Sequence, residues 1–290
     1  SQRVESFTRY EHSPQHPVYS PLGGRYDEGG QFVFFPKILA FKEKAPVQLF
    51  TPISSPKKEV LNQKKPLQIP EMVLVEGGTF IMGATAEQGD NVQYDEKPTH
   101  QVTLDSFMIG KYAVTNTQFC VFLNNNGYLV KVGEYQGNLT IEPHEWGIEE
   151  AHEGFLPQKG HEHHPVINVS WYGAWAYAQW LSAQTGEAYR LPIEAEWEFA
   201  ARGGRLSRGY KYAGTSTKLA EYAWYNENSN GKPHPVGQKR PNELGLYDMS
   251  GNVFEWCNDW YREYTSQTQF NPQGPESGSY RVYRGGSWGN

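Results

Sequence analysis

An α+β fold poor in regular secondary structure follows from three features of this 290-residue chain. Aromatic residues make up 14% of it, alongside 30 Gly and 19 Pro, a mix in which ring anchors and turns replace long elements. Its β-like runs are short. Only three segments carry the apolar stripe and end signals of a helix.

Residues 1–70 hold nine of the 19 prolines and no helical period, and read as a Pro-rich, β-containing segment and linker ahead of a domain at 71–290. Within them, residues 31–35 and 47–50 have strand composition, and Lys57, Lys58, Lys64 and Lys65 among prolines mark a solvated linker. Two β runs, 72–75 and 79–82, flank Gly77 and Gly78 and predict a hairpin. Residues 101–109 alternate like a half-buried strand. Thr115 and Gln118 form a capping box for a helix with Phe119, Phe122 and Leu123 on one face, closed by Gly127. Ser170 starts a second helix, with Trp171, Trp175, Ala178 and Leu181 on one side and Gly186 as its stop. Ser170 also completes the sequon at Asn168, but it serves better as this N-cap. Pro192 suits the first residue of a third helix, with Glu194 and Glu196 in its positive first turn. Beyond Gly203 and Gly204 only short segments and turns are expected.

Net charge −6 argues against a nucleic-acid binder working through bulk charge. The longest apolar stretch, 32–41, is broken by Pro36 and Lys37 and falls well short of the ~18 residues of a spanning helix. Cys120 and Cys257 are too distant in sequence for a metal knuckle or a redox pair, permitting one disulfide and requiring none. A start at Ser1 rather than Met suits a processed, exported protein and a trimmed chain equally. No phosphate loop, dinucleotide fingerprint or Ser/His/Asp nucleophile motif is present.

Five blocks then resemble the formylglycine-generating enzyme family, the sulfatase-modifying factor domain. They are MVLVEGGTFIMG at 72–83, HPVINVSW at 164–171, RLPIEAEWEFAARGG at 190–204, GLYDMSGNVFEW at 245–256 and RVYRGGSW at 281–288. The resemblance implies a C-type-lectin-like fold and bound Ca²⁺. Carried over residue by residue, the calcium ligands become Asp248, Gly251, Val253 and Glu255; two carboxylates around a glycine turn with carbonyls between them suit an ion wanting 6–8 oxygens. A turn held by Asp and Asn hydrogen bonds without metal is the competing reading. A weaker second calcium site would fall at Trp224, Tyr225, Asn228 and Asn230.

The family's active-site strand corresponds to Gly285, Gly286, Ser287, Trp288 and Asn290. Its enzymes bind copper there through two cysteines, since soft thiolates select Cu(I). Here the first of those positions is Asn290 and the second lies past the sequence, so copper-dependent oxidation is not expected. Cys257 reads instead as a small packing residue. The family domain also continues past this run, which implies either a longer chain or a partner segment completing the C-terminal strand. His144, His152, His161, His163 and His164, with Glu145, Glu153 and Glu162, offer a transition metal donors, but their spacing fits no helical ligand motif and reads as a solvated insertion loop. The expectation is a non-catalytic module that binds protein or glycan outside the cytoplasm (periplasm, surface or medium), in a bacterial envelope assembly or as a variable ligand-binding protein. The alternative is a metal-dependent enzyme of the family.

Overall fold

The computed structural model describes residues 18–21, 30–31, 67–89, 92, 94–131, 135–141 and 147–290, the first two segments as backbone only. The expected strand at 47–50, the lysine-bearing linker, and His144 with Glu145 lie outside the described residues. So does the expected strand at 31–35, apart from Gln31.

Two paired strand segments form the first layer. β3 (Met72–Val75) pairs antiparallel with β6 (Phe107–Gly110), and β4 (Gly78–Met82) with β5 (His100–Leu104). The predicted hairpin about Gly77 and Gly78 is therefore not formed. Met72 faces Gly110 and Met82 faces His100 in one unbroken register, so 72–82 and 100–110 make a single ribbon interrupted once. At the interruption a Cβ on Gly77 would sit 2.4 Å from the Leu104 carbonyl oxygen, and Ser106 Oγ accepts the Gly77 N–H. Gly77 lets two backbones approach, and neither glycine reverses the chain.

α1 (Asn116–Asn126) begins at the Thr115–Gln118 capping box and ends at Gly127, and α2 (Trp171–Thr185) runs from a Ser170 cap to Gly186 in the left-handed region. Phe119, Phe122, Leu123, Tyr177 and Leu181 interlock in the first core, against which β7 (Ile148–Ala151) and β8 (Gly154–Pro157) close. α3 (Glu194–Ala201) starts two residues past Pro192, its first turn bonded through Glu196, whose carboxylate accepts the Ile193 N–H. A single turn, α4 (Leu219–Tyr222), follows.

After Gly204 the chain is more ordered than expected. β9 (Phe254–Trp260) is the longest strand described, and it pairs antiparallel with β11 (Tyr280–Arg284). β1 (Val18–Pro21) covers the far edge of β11 and β2 (Gly30–Gln31) that of β9, giving the order β1-β11-β9-β2. β10 (Gln269–Phe270) adds to the edge of β5. A second core joins the ribbon, α3, Cys257 and Val282. No helix among the described residues is long and apolar enough to cross a membrane.

Candidate functional site

The sequence-predicted site residues converge because three separate loops are stitched through their backbones. Gly251 N–H donates to the Gly285 carbonyl at 2.7 Å, Asn252 N–H to that of Trp224 at 2.7 Å, and Trp288 N–H to that of Asn252 at 2.9 Å. Gly251 has φ +84°, and a Cβ there would meet the Trp224 carbonyl oxygen at 2.2 Å. Asp248 and Asn252 hold left-handed φ values of 58° and 64°, which short polar residues tolerate.

Asp248 and Glu255 are both buried in this turn. Asp248 Oδ2 accepts the Gly237 N–H at 2.8 Å, while its Oδ1 is buried without a partner. Glu255 Oε2 accepts the indole N–H of Trp197 at 2.7 Å. Burial pushes the Asp248 carboxyl up to about 6, and burial with the neighbouring Asp248 charge pushes Glu255 up to about 8. Two buried carboxyls raised this way, one with an orphaned oxygen, form a donor set that suits a hard cation. Asp248, Glu255 and the carbonyls of Gly251 and Val253 are the groups that would hold Ca²⁺.

The second predicted set has a different chemistry. Trp224 brings no side-chain oxygen; its indole stacks on His234 at 3.7 Å and carries the Lys239 ammonium over its face at 3.8 Å. Asn228 commits Oδ1 to the Tyr225 N–H and its amide N–H to the Ala223 carbonyl. Asn230 is exposed. Asn228 thus ties this loop together through its own backbone.

Beside the turn lies a cleft of about 350 Å³ walled by Tyr212, Leu219, Tyr225, Gly251 and Gly286, with Ser287 and Asn290 at its end. Ser287 Oγ donates to Asn290 Oδ1 at 2.5 Å, and the Asn290 carbonyl accepts the Asn226 N–H. Cys120 and Cys257 are buried in the first and second cores, away from this cleft, and form no disulfide. In the histidine-rich segment, the rings of His161 and His164 lie 4.6 Å apart, tilted by 50°, over the start of α1, whose Asn116 N–H donates to the His164 carbonyl. The expected solvated loop is exposed at His152, Glu153, Glu162 and His163 and packed at His161 and His164. Burial and the neighbouring His161 hold His164 down at about 4. Among the described residues no three of His, Cys, Asp and Glu converge on one metal position.

A family model described as the sulfatase-modifying factor enzyme 1-like domain matches residues 57–290. The chain belongs to this family. It is 39% identical over 222 residues to the serine/threonine-protein kinase pkn1 of Chlamydia pneumoniae, a match covering 75% of this chain and 33% of that protein. The sulfatase-modifying factor-like domain thus spans about a third of the length of the kinase-named relatives. It is 34% identical over 260 residues to the formylglycine-generating enzyme of Mus musculus, covering 77% of this chain and 68% of that one. Among solved structures it is similar to Treponema denticola variable protein 1, with a TM-score of 0.57 and 29% identity over 76% of this chain and 84% of the other.

Sequence reasoning missed several groups that shape this domain's site. Asn252 clamps His234 from both ends, accepting its N–H and donating to its carbonyl at 3.0 Å each. Trp197 reaches Glu255 from α3. The only signal for these partners is their presence inside the recognisable blocks; the pairing itself joins residues 18 and 58 positions apart.

Proposed function

We propose that this sulfatase-modifying factor-like domain is a non-catalytic module that binds a protein or glycan ligand in the cleft between Tyr212, Tyr225 and Ser287. The observation that carries the reading is the amide of Asn290, hydrogen-bonded to Ser287 at the position where the family's enzymes place a thiolate. An amide oxygen is a hard donor and gives Cu(I) no soft ligand. Both cysteines lie buried in the cores and cannot substitute for it. Tyrosine rings and hydroxyls beside close-packed glycine backbone suit sugar and peptide recognition. Ca²⁺ at Asp248 and Glu255, on a C-type-lectin-like frame, would fix the turn that forms one wall. Work outside the cytoplasm fits this use.

The test is a cysteine-containing peptide incubated with the purified protein, Cu(I) and oxygen, followed by mass spectrometry. The expected result is an unmodified peptide and no Cu(I) retained against a chelating competitor. Copper-dependent conversion of the cysteine would overturn the reading.

A further inference from the structure

A second cleft, sharing no lining residue with the first, opens between the start of α3, the end of β9 and the segment that follows. Its floor carries three polar side chains taken out of water: Asp259 at 6% exposure, Glu194 at 7% and His100 at 5%. Glu194 is already satisfied, since its Oε1 accepts from Arg284 at 2.7 Å and from the Tyr264 hydroxyl at 2.8 Å. Arg284 spends its other amino group on Glu198. Asp259 is different. Its Oδ2 accepts the Glu194 N–H at 2.8 Å, but no Lys or Arg among the described residues pairs with it. Burial and the Glu194 charge drive its carboxyl well above the usual carboxylate range.

His100 supplies the independent observation. Its Nδ1 lies 3.3 Å from the Pro98 carbonyl, and the ring is held edge-on to Tyr264 with centroids 5.0 Å apart. A proton on Nδ1, facing that carbonyl, leaves the Nε2 lone pair as an acceptor, and no group among the described residues is hydrogen-bonded to Nε2, although the residue lines the cleft. A carboxyl without a cationic partner and an imidazole acceptor in one cleft wall favour a ligand that brings donors and positive charge. Around them Met82, Trp260, Pro272 and Pro275 form apolar walls, and the rim holds one exposed residue of each sign, Arg262 and Glu263.

We propose that this cleft binds the cationic head of an alkylguanidinium or alkylammonium group, with the Asp259 carboxylate and His100 Nε2 accepting its N–H donors and the apolar walls packing its stem. The group comes either from a small free amine or from an Arg or Lys side chain of a polypeptide; the chemistry is shared.

Calorimetric titration of the whole chain with N-acetyl-argininamide, with N-acetyl-norleucinamide as the uncharged stem, tests it. Saturable binding of the first and none of the second is expected. Asp259→Asn and His100→Gln should each weaken it about tenfold, equivalent to ~1.4 kcal/mol. Because both residues are buried, Pro275→Lys serves as a further variant: an ammonium placed at the mouth should compete with the ligand and leave thermal melting unchanged. A blocked peptide centred on Arg, binding tenfold more tightly than N-acetyl-argininamide, assigns a polypeptide source, and equal affinity assigns a small free cation. Equal binding of the norleucine compound, unchanged affinity in variants that melt normally, or no binding at millimolar ligand would each overturn the proposal.

Discussion

Asp248 and Glu255 couple the site to pH. Both carboxyls have folded pKa values above the ordinary range, so the metal-free native state holds more protons than the unfolded chain. Their ionisation therefore costs stability as pH rises, starting near the ordinary carboxylate range and ending around pH 8. The melting temperature of chelator-treated protein should fall across that window. Calcium should flatten the fall, and a profile that calcium leaves unchanged would remove the cation from this turn. Arg284 is the opposite case, a buried cation divided between Glu194 and Glu198 at 2.7 Å each. Arg284→Met leaves buried Glu194 with only the Tyr264 hydroxyl, while Glu198 keeps Arg202, and should cost ~3–5 kcal/mol in urea unfolding. Arg284→Lys should rescue little, because an ammonium cannot reproduce the forked geometry.

At the scale of elements, helix ends were legible and strand pairing was not. Thr115, Gln118, Ser170 and the glycines at 127 and 186 act through neighbours within a few residues, and their roles follow from local chemistry. Thr115→Ala should cost about 1 kcal/mol in chemical denaturation. Gly173, inside α2, shows where local reasoning fails. Helix propensity alone favours Ala there by ~1 kcal/mol. Yet a Cβ would lie 2.0 Å from the Thr140 carbonyl oxygen, so Gly173→Ala should destabilise by ~1–3 kcal/mol, read from the same denaturation curves. The ribbon misled in the same way. Gly77 and Gly78 between two β runs match a hairpin, and only the partner strand 18 to 38 residues away reveals an interruption in a longer ladder. Pro192 misled by two residues, because Glu196 takes the Ile193 N–H and sets the start of α3 there.

For the whole molecule, the two cysteines sit in separate cores and form no disulfide. Native protein should resist thiol labelling, denaturation should expose both thiols, and reductant should leave the melting temperature unmoved. The candidate site was legible as a list of residues, since its blocks are recognisable, but its wiring was not. The stacking of His234 on Trp224 and the Asn252 clamp depend on chain crossings that no spacing announces. The same long-distance wiring has a temporal side. In the four-strand sheet, Val18–Pro21 and Gly30–Gln31 flank strands that begin at Phe254 and Tyr280. During synthesis this segment leaves the ribosome well ahead of its pairing partners. At ~5–20 residues per second it waits on the order of ten seconds or more for them. Such distant pairing makes for slow closure, whereas the ribbon of 72–110 and then α1 are complete much earlier and can pack before the sheet closes.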